Sequence, residues 1–418
     1  MYFGFVLPVL VSVVGIYLLI KLRAFFIVHP IGTTRELMVA IGDRDSRRAF
    51  LLALAGTLGV GNIFGVCAGI IIGGAGSLLW LFVSSFFAMV IKYAETLVVL
   101  DSGVRGGGMA SVLLSTFHRF GGILAPVYAA LTILLSLIMG ASMQAAALCD
   151  IAVSVYDISS YVISALLVIL LVPAIAGGAK KIENITEIVI PVTTIIYIIA
   201  CLTVIFCHFS RIGSVINDIL SSALSPSAAV GGGISFIALR EGFARGILSN
   251  EAGAGTSALA HSRSLGRSPH TAGLFAMCEV VFDSSLLCML TGIAVLASVP
   301  DYASYRTPMS LVRAAFHTVF GGFSDLVLPL IILAFAYSTI ICWYYYGMQT
   351  CKGYFGMVKS VFSPIFIIFI LFCSSIPQRP LIYATDFLLL VMAVMTLSAI
   401  IIRVPRITLL CRCKKAPD

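Results

Sequence analysis

Residues 53–65 read Ala53-Leu54-Ala55-Gly56-Thr57-Leu58-Gly59-Val60-Gly61-Asn62-Ile63-Phe64-Gly65, and this stretch decides the fold. It lies inside an apolar run long enough to cross a bilayer, yet four glycines, a threonine and an asparagine fall between positions 56 and 65. Each interior glycine costs about 1 kcal/mol of helix propensity relative to alanine. A helix interrupted at membrane depth frees backbone N–H and C=O groups that protein, water or ligand must satisfy. The same character returns in Gly246-Ile247-Leu248-Ser249-Asn250-Glu251-Ala252-Gly253-Ala254-Gly255-Thr256, now with a carboxylate. Two interrupted helices at corresponding places in a chain point to the central site of a secondary transporter.

The composition agrees. Of 418 residues, 60% are hydrophobic and 11% charged, with a mean hydropathy of +1.10; a soluble domain carries roughly a quarter charged residues. That excludes a soluble enzyme, a nucleic-acid binder and a disordered chain. The net charge of +8 comes from short basic clusters between apolar runs, the pattern of orientation signals in helical membrane proteins. Most of the 11 cysteines, among them Cys67, Cys149, Cys201, Cys278 and Cys342, lie in apolar runs without CxxC spacing. They read as small buried hydrophobes, not metal ligands. Cys411 and Cys413 in the basic tail read as reduced cytoplasmic thiols, with acylation as the alternative.

Spans of about 20 apolar residues are expected near 4–28, 48–72, 77–100, 122–148, 160–177, 186–208, 232–260, 271–298, 325–349, 357–375 and 382–402. The first has no charge before Lys21 and no small-residue cleavage site, so it reads as a retained span. With the N-terminus outside, twenty Lys and Arg fall on the inner loops and tail and six outside: Arg211, Arg240, Arg245, Arg306, Arg313 and Arg379. That asymmetry follows the positive-inside rule, and an odd number of spans puts the C-terminus in the cytoplasm. The expected fold is therefore an all-α polytopic membrane protein of eleven transmembrane helices. An extra N-terminal helix and its loop, 1–46, precede two five-helix blocks, 47–208 and 209–402, and a basic tail, 403–418. Five crossings is an odd number, so the blocks form a 5+5 inverted repeat, each opened by a broken helix.

Not every glycine marks the break. Gly65, Gly69 and Gly73 recur every four residues, the pattern of a helix-packing seam. Those in 56–62 and 249–255 are mixed with polar residues and spaced by two, which no seam requires. A half-helix start offers N–H groups to an anion, and a half-helix end offers C=O groups to a cation. A zwitterionic amino acid matches both. Ser338 and Thr339 lie in the ninth span. Such a pair alone usually bonds its own preceding turn; beside two breaks it reads as hydroxyl ligands for Na+.

The run Gly56-Thr57-Leu58-Gly59-Val60-Gly61-Asn62-Ile63 resembles the signature of the alanine/glycine:cation symporter family, the sodium:alanine symporters. So do Lys92-Tyr93-Ala94-Glu95, Arg245-Gly246 with Ser249-Asn250-Glu251-Ala252-Gly253, Ala260-His261, Glu279 through Asp283, Gln144, and Trp343 with Tyr345-Tyr346-Gly347. The similarity runs in order from about residue 45 to 350. It implies a LeuT-type fold that imports alanine or glycine with Na+ across a prokaryotic plasma membrane, with no organic cofactor and no obligate protein partner. By resemblance, the substrate would contact Thr57, Gly59, Val60, Gly61, Asn62, Gln144, Ile247, Leu248, Ser249, Asn250 and Trp343. N–H groups around Val60 and Gly61 would hold its carboxylate, and carbonyls near Ile247 to Ser249 would face its ammonium. Carbonyls of Ala55 and Leu58, with Ser338 and Thr339, would hold Na+. Family members usually carry threonine where this chain has Val60 and an aromatic where it has Leu248. The wider pocket at Leu248 leaves an alternative, an H+-coupled transporter of another small neutral amino acid such as serine.

Glu95, Glu251, Glu279 and Asp283 are the carboxylates nearest membrane depth, where each costs roughly 2.5–3.5 kcal/mol on insertion scales and defaults to a functional reading. Glu251 is expected to brace the second break by accepting freed N–H groups, with proton coupling as its alternative role. Lys92 and Glu95 read as an interfacial pair, Arg240, Glu241 and Arg245 as an outer-loop ion cluster, with guiding of zwitterions as their alternative role, and His261 and His270 as solvent-facing. No acidic or basic ring suggests a channel. No Ser-His-Asp or HExxH arrangement suggests an intramembrane enzyme, and no output domain suggests a sensor.

Overall fold

Helix is the only regular structure among the described residues, as expected of a backbone that must satisfy itself in lipid. The computed structural model describes residues 3–104, 107–224, 234–262, 268–373 and 375–412. Arg105, Arg263, Arg267, Cys413, the start of the expected span at 232–260 and the last residues of the basic tail lie outside them.

Helix α1, Phe3–Lys21, leads into helix α2, Pro30–Ile41. Helix α3, Arg44–Thr57, starts where the Asp43 carboxylate accepts the Ser46 N–H at 2.8 Å, an N-cap worth about 1 kcal/mol. It stops at the glycine-rich break, and α4, Gly61–Gly73, resumes at 48° to it. Then follow α5, Ser77–Asp101, α6, Gly108–Thr116, α7, Gly121–Tyr156, α8, Ser160–Cys207, and α9, Ile212–Leu224. Helix α10, Ile234–Asn250, ends at Glu251, whose φ of 57° is left-handed. After an irregular stretch come the single turn α11, Ala258–His261, and α12, Pro269–Ser298. The chain closes with α13, Pro308–Phe320, α14, Ser324–Phe355, α15, Lys359–Cys373, and α16, Gln378–Arg412.

Among the described residues, six helical segments are long and apolar enough to cross a bilayer singly, and the bent α3–α4 pair makes a seventh. The 48 residues of α8 would run about 72 Å if straight, more than twice a hydrocarbon core of roughly 30 Å. Gly178, at φ 67°, divides them, between the two spans expected at 160–177 and 186–208. The first and tenth expected spans are shorter apolar helices.

Without a hydrophobic force between helices in lipid, close packing holds them together, and small residues make it possible. Helix α5 sits at the centre of this packing. A Cβ at Gly242 or Gly246 of α10 would meet α5 at 2.4 Å (Ser77 O) or 2.2 Å (Ser84 Oγ), and one at Gly273 or Gly292 of α12 would meet Tyr93 or Leu78 of α5. The Gly65, Gly69 and Gly73 row faces Leu248, Arg245 and Glu241 of α10, so that seam joins α4 to α10, one half of each broken span.

Candidate functional site

The first break can be read bond by bond. In an unbroken helix the carbonyls of Ala55, Gly56, Thr57 and Leu58 would accept the N–H groups four residues on. Here Gly59 N–H turns back to Thr57 O at 2.8 Å, which takes from Ala55 O its usual partner. Val60 N–H leaves the helix for Gln144 Oε1 at 3.1 Å, and Gly56 O accepts Trp343 Nε1–H at 3.2 Å instead. Asn62 N–H reaches Gly59 O at 3.4 Å, and Leu58 O accepts the Thr339 hydroxyl at 3.3 Å. Gly59 is where these groups converge: a Cβ there would lie 2.8 Å from Gln144 Oε1 and 2.9 Å from Thr339 Oγ1. A Cβ on Gly61 would meet nothing within 4 Å. Ser338 donates to Ala334 O and Phe335 O of its own helix, at 2.9 and 3.0 Å. Thr57 does the same toward Leu54 O at 3.3 Å.

The second break releases the opposite kind of group. Ile247 O still accepts Glu251 N–H at 2.7 Å, so this carbonyl, expected to be free, is occupied. The next three are released. Ala252 N–H goes to the Asn250 side chain at 3.0 Å, Gly253 N–H to Glu95 Oε1 at 2.7 Å, and Ala254 N–H to Glu251 O at 3.0 Å. The carbonyls of Leu248, Ser249 and Asn250 therefore end a half-helix without their helical donors. The N–H bracing expected of Glu251 falls to Glu95; Glu251 spans the gap through its Oε2, which accepts the Thr256 hydroxyl at 2.7 Å. Tyr128 OH fastens the irregular stretch by donating to Ala254 O.

One carboxylate joins the two breaks. Asp283 accepts from Asn62 Nδ2 at 2.5 Å, from Ser249 Oγ at 2.7 Å and from Ser284 Oγ at 2.8 Å; Ser284 Oγ itself accepts from Asn250 Nδ2 at 3.0 Å. Three donors keep the fully buried Asp283 satisfied, the condition for an ion at this depth. Buried Asn62 Oδ1 and Glu251 Oε1 have no hydrogen-bond partner among the described residues. The described π-helical stretches are Gly61–Gly65, Ser136–Met143 and Val281–Cys288. Each carries or adjoins a residue of this constellation, namely Asn62, Gln144 or Asp283, as such bulges often do at functional sites.

Several charged residues sit elsewhere than expected. Lys92 and Glu95 do not pair at the interface. Helix α5 continues to Asp101, so both are interior and fully buried, and they clasp the irregular stretch. Lys92 Nζ donates to Ser257 Oγ at 2.9 Å and lies 3.5 Å from Glu279 Oε2. His261 is buried and bonded to Glu279. His270 is buried with Nδ1 2.6 Å from Tyr93 OH. A buried ion survives only beside partners, and the turn at 251–257 supplies them. Arg240, Glu241 and Arg245 are not in a loop but on α10, lining a cavity of about 1240 Å³ with Asp386 of α16. Sequence reasoning missed Asp386 and Tyr128. Lys92 had a signal, a lone cation well inside a 25-residue apolar helix.

The sodium:alanine symporter family profile matches residues 1–412. The chain belongs to this family. The sodium/alanine symporter AgcS of Methanococcus maripaludis is 29% identical to it over 391 residues, a match that covers 88% of this protein and 85% of AgcS. The amino-acid carrier protein AlsT of Bacillus subtilis is 27% identical over 349 residues, 79% and 74% of the two chains. Among solved structures, MhsT in complex with L-phenylalanine superposes with a TM-score of 0.63 at 14% identity, covering 86% of this symporter and 88% of MhsT. That likeness shows a LeuT-type fold. This symporter is thus a multi-pass membrane transporter.

Proposed function

We propose that the protein imports alanine or glycine together with Na+ by alternating access, with substrate and ion bound side by side at the first break. The observation that carries this reading is the convergence on Gly59: Gln144 on the Val60 N–H, Thr339 on the Leu58 carbonyl, and room between them for a hydrogen only.

The substrate carboxylate would take the Val60 N–H from Gln144 Oε1 and reach the Gly61 N–H, which begins a half-helix and lacks a carbonyl one turn back. A charged acceptor forms a hydrogen bond roughly twice as strong as a neutral one, so the exchange favours the ligand. The released Gln144 amide would then donate to the second carboxylate oxygen. The Leu248 and Ser249 carbonyls would receive the ammonium. Trp343, held by Gly56 O and packed where Gly140 leaves no room for a Cβ (2.2 Å), would limit the side chain to a methyl or a hydrogen. The Ala55 and Leu58 carbonyls, with Thr339 and Ser338 once their hydroxyls rotate, would give Na+ the oxygen ligands a hard cation prefers. Bridging two half-helices in this way, Na+ would order the carboxylate site beside it, which is the coupling. The basic inner loops support an outside N-terminus and a cytoplasmic C-terminus.

The test is uptake of labelled alanine and glycine into proteoliposomes under an inward Na+ gradient, then with K+ replacing Na+ at fixed pH. Concentrative uptake with Na+ only is expected. Uptake that follows a pH gradient instead would overturn the ion assignment and move the coupling to Glu251.

A further inference from the structure

Helix α2 is amphipathic, but its faces are the reverse of those on a water-soluble surface. Ile31, Met38 and Val39 point away from the protein and are 84%, 68% and 77% exposed. Arg35, one turn from both Ile31 and Met38, is exposed with them. The face turned toward the protein carries the buried Ala40 and Glu36. Glu36 Oε1 accepts the Thr271 hydroxyl at 3.1 Å, and its Oε2 lies 3.5 Å from His270 Nε2, both in the first turn of α12. The helix cannot roll its apolar residues inward without giving up those contacts.

The neighbours of α2 fix its depth. Helix α1 has 19 residues, about 28 Å, which nearly matches a hydrocarbon core of roughly 30 Å; it ends on Lys21. Helix α3 opens with Arg44, Asp45, Arg47 and Arg48 before its apolar residues begin at Ala49. One segment leaves the bilayer and the next enters it, so α2 lies at the level between them. There Lys21, Arg23, Arg35 and Arg44 are exposed and have no ion-pair partner within 4 Å among the described residues. The carboxylates nearby are engaged: Glu36 on α12, Asp43 on the Ser46 N–H, and Glu187 on Arg47 and Arg48. Asp45 alone in 21–48 is an exposed carboxylate.

We propose that α2 lies in the cytoplasmic leaflet with Ile31, Met38 and Val39 among the acyl chains, where Lys21, Arg23, Arg35 and Arg44 hold anionic phospholipid headgroups around it. An apolar helix face enters any bilayer, whereas cations beside it select anionic lipid. One Lys or Arg near such a surface contributes about fivefold to binding, so the lipid around α2 is enriched in the anionic species. A second copy of the chain packed on this face would bring the same positive charges and be repelled by them.

The test uses the full-length protein in phosphatidylcholine vesicles. Met38→Trp puts an indole on the outward face, and the wild-type emission from Trp80 and Trp343 is subtracted. The vesicles carry the same small fraction of lipid brominated on its acyl chains, either phosphatidylglycerol or phosphatidylcholine; the two quench at the same depth, so their ratio reports headgroup preference. Brominated phosphatidylglycerol should quench about fivefold more effectively. Adding Lys21→Gln and Arg35→Gln, or high salt, should bring the ratio to about one and leave quenching by phosphatidylcholine unchanged, which shows that α2 is still folded in the bilayer. Val39→Trp should give the same pattern and replaces Met38→Trp if that variant does not fold. Equal quenching by the two lipids before any charge is removed overturns the selection of anionic lipid. Quenching by neither places the face in water and overturns the proposal, as does quenching that fades as protein density in the vesicle rises, which assigns the face to a second copy.

Discussion

Gly59→Ala is the most incisive perturbation available at the first break. Its φ is outside the left-handed region, so alanine is acceptable to the backbone and any damage comes from the added methyl. That methyl would lie 2.8 Å from Gln144 Oε1, 2.9 Å from Thr339 Oγ1 and 3.3 Å from Gln144 Cδ. Both side chains must retreat by about half an ångström to reach ordinary contact. The retreat carries the Gln144 amide away from the place proposed for the substrate carboxylate and the Thr339 hydroxyl away from the place proposed for Na+, so each ligand loses one contact. At about 1 kcal/mol net per hydrogen bond, each loss corresponds to about fivefold in the ligand that its partner serves. The variant should therefore show an alanine KM and a Na+ half-saturation each raised about fivefold in proteoliposome uptake, together roughly thirtyfold in transport at low concentrations of both. Gly61→Leu supplies the contrast, since its side chain enters open space: normal membrane insertion with uptake abolished. A Gly59→Ala protein with both constants within twofold of wild type would refute the reasoning, because the convergence on Gly59 would then serve neither ligand.

Other outcomes follow from single contacts. Thr339→Val should raise the Na+ half-saturation about tenfold and more than Ser338→Ala does, because Ser338 is bonded within its own helix; equal effects in a Na+ titration of uptake would contradict that ordering. Glu95→Gln keeps an acceptor for Gly253 N–H and should retain most of the thermal stability in detergent, whereas Glu95→Ala should lose about 1–3 kcal/mol. Arg48 Nε lies 2.8 Å from Glu187 Oε2 and ties the start of α3 to α8. The pair is partly exposed and worth at most about 1 kcal/mol, so Glu187→Gln should raise cytoplasmic accessibility of a cysteine placed in α3 by no more than about fivefold.

The architecture was legible because membrane helices obey few rules and departures from them stand out. Apolar runs locate the spans, and glycine with polar residues in the middle of an apolar run marks an interruption whatever surrounds it. The backbone groups freed at Gly59 and Gly253 follow from that interruption by helix geometry. Which side chain meets each group does not. Glu95 and Gly253 are 158 residues apart, and Asn62 and Asp283 are 221 apart, so no local pattern announces either pair. The sequence assigned the N–H bracing to Glu251 because it lies within the break; the left-handed turn at that residue sends its carboxylate to Thr256 instead.

The misjudged charges share one physical cause. Lys92 and His261 look like residues bound for a membrane surface, because each alone is costly inside. Together they are self-supporting, with Lys92 and His261 both on Glu279, and Lys92 also on Ser257 of the irregular stretch. In the proposed alternating-access cycle this segment opens and closes, and apolar packing alone, which falls off gradually as surfaces part, would not hold it. Hydrogen bonds to ions are directional and are lost or made as units, so a clasp built from Lys92 and Glu95 gives residues 251–257 discrete positions. That is why ions stand where apolar residues would be cheaper: on this reading they define the states between which the broken span moves.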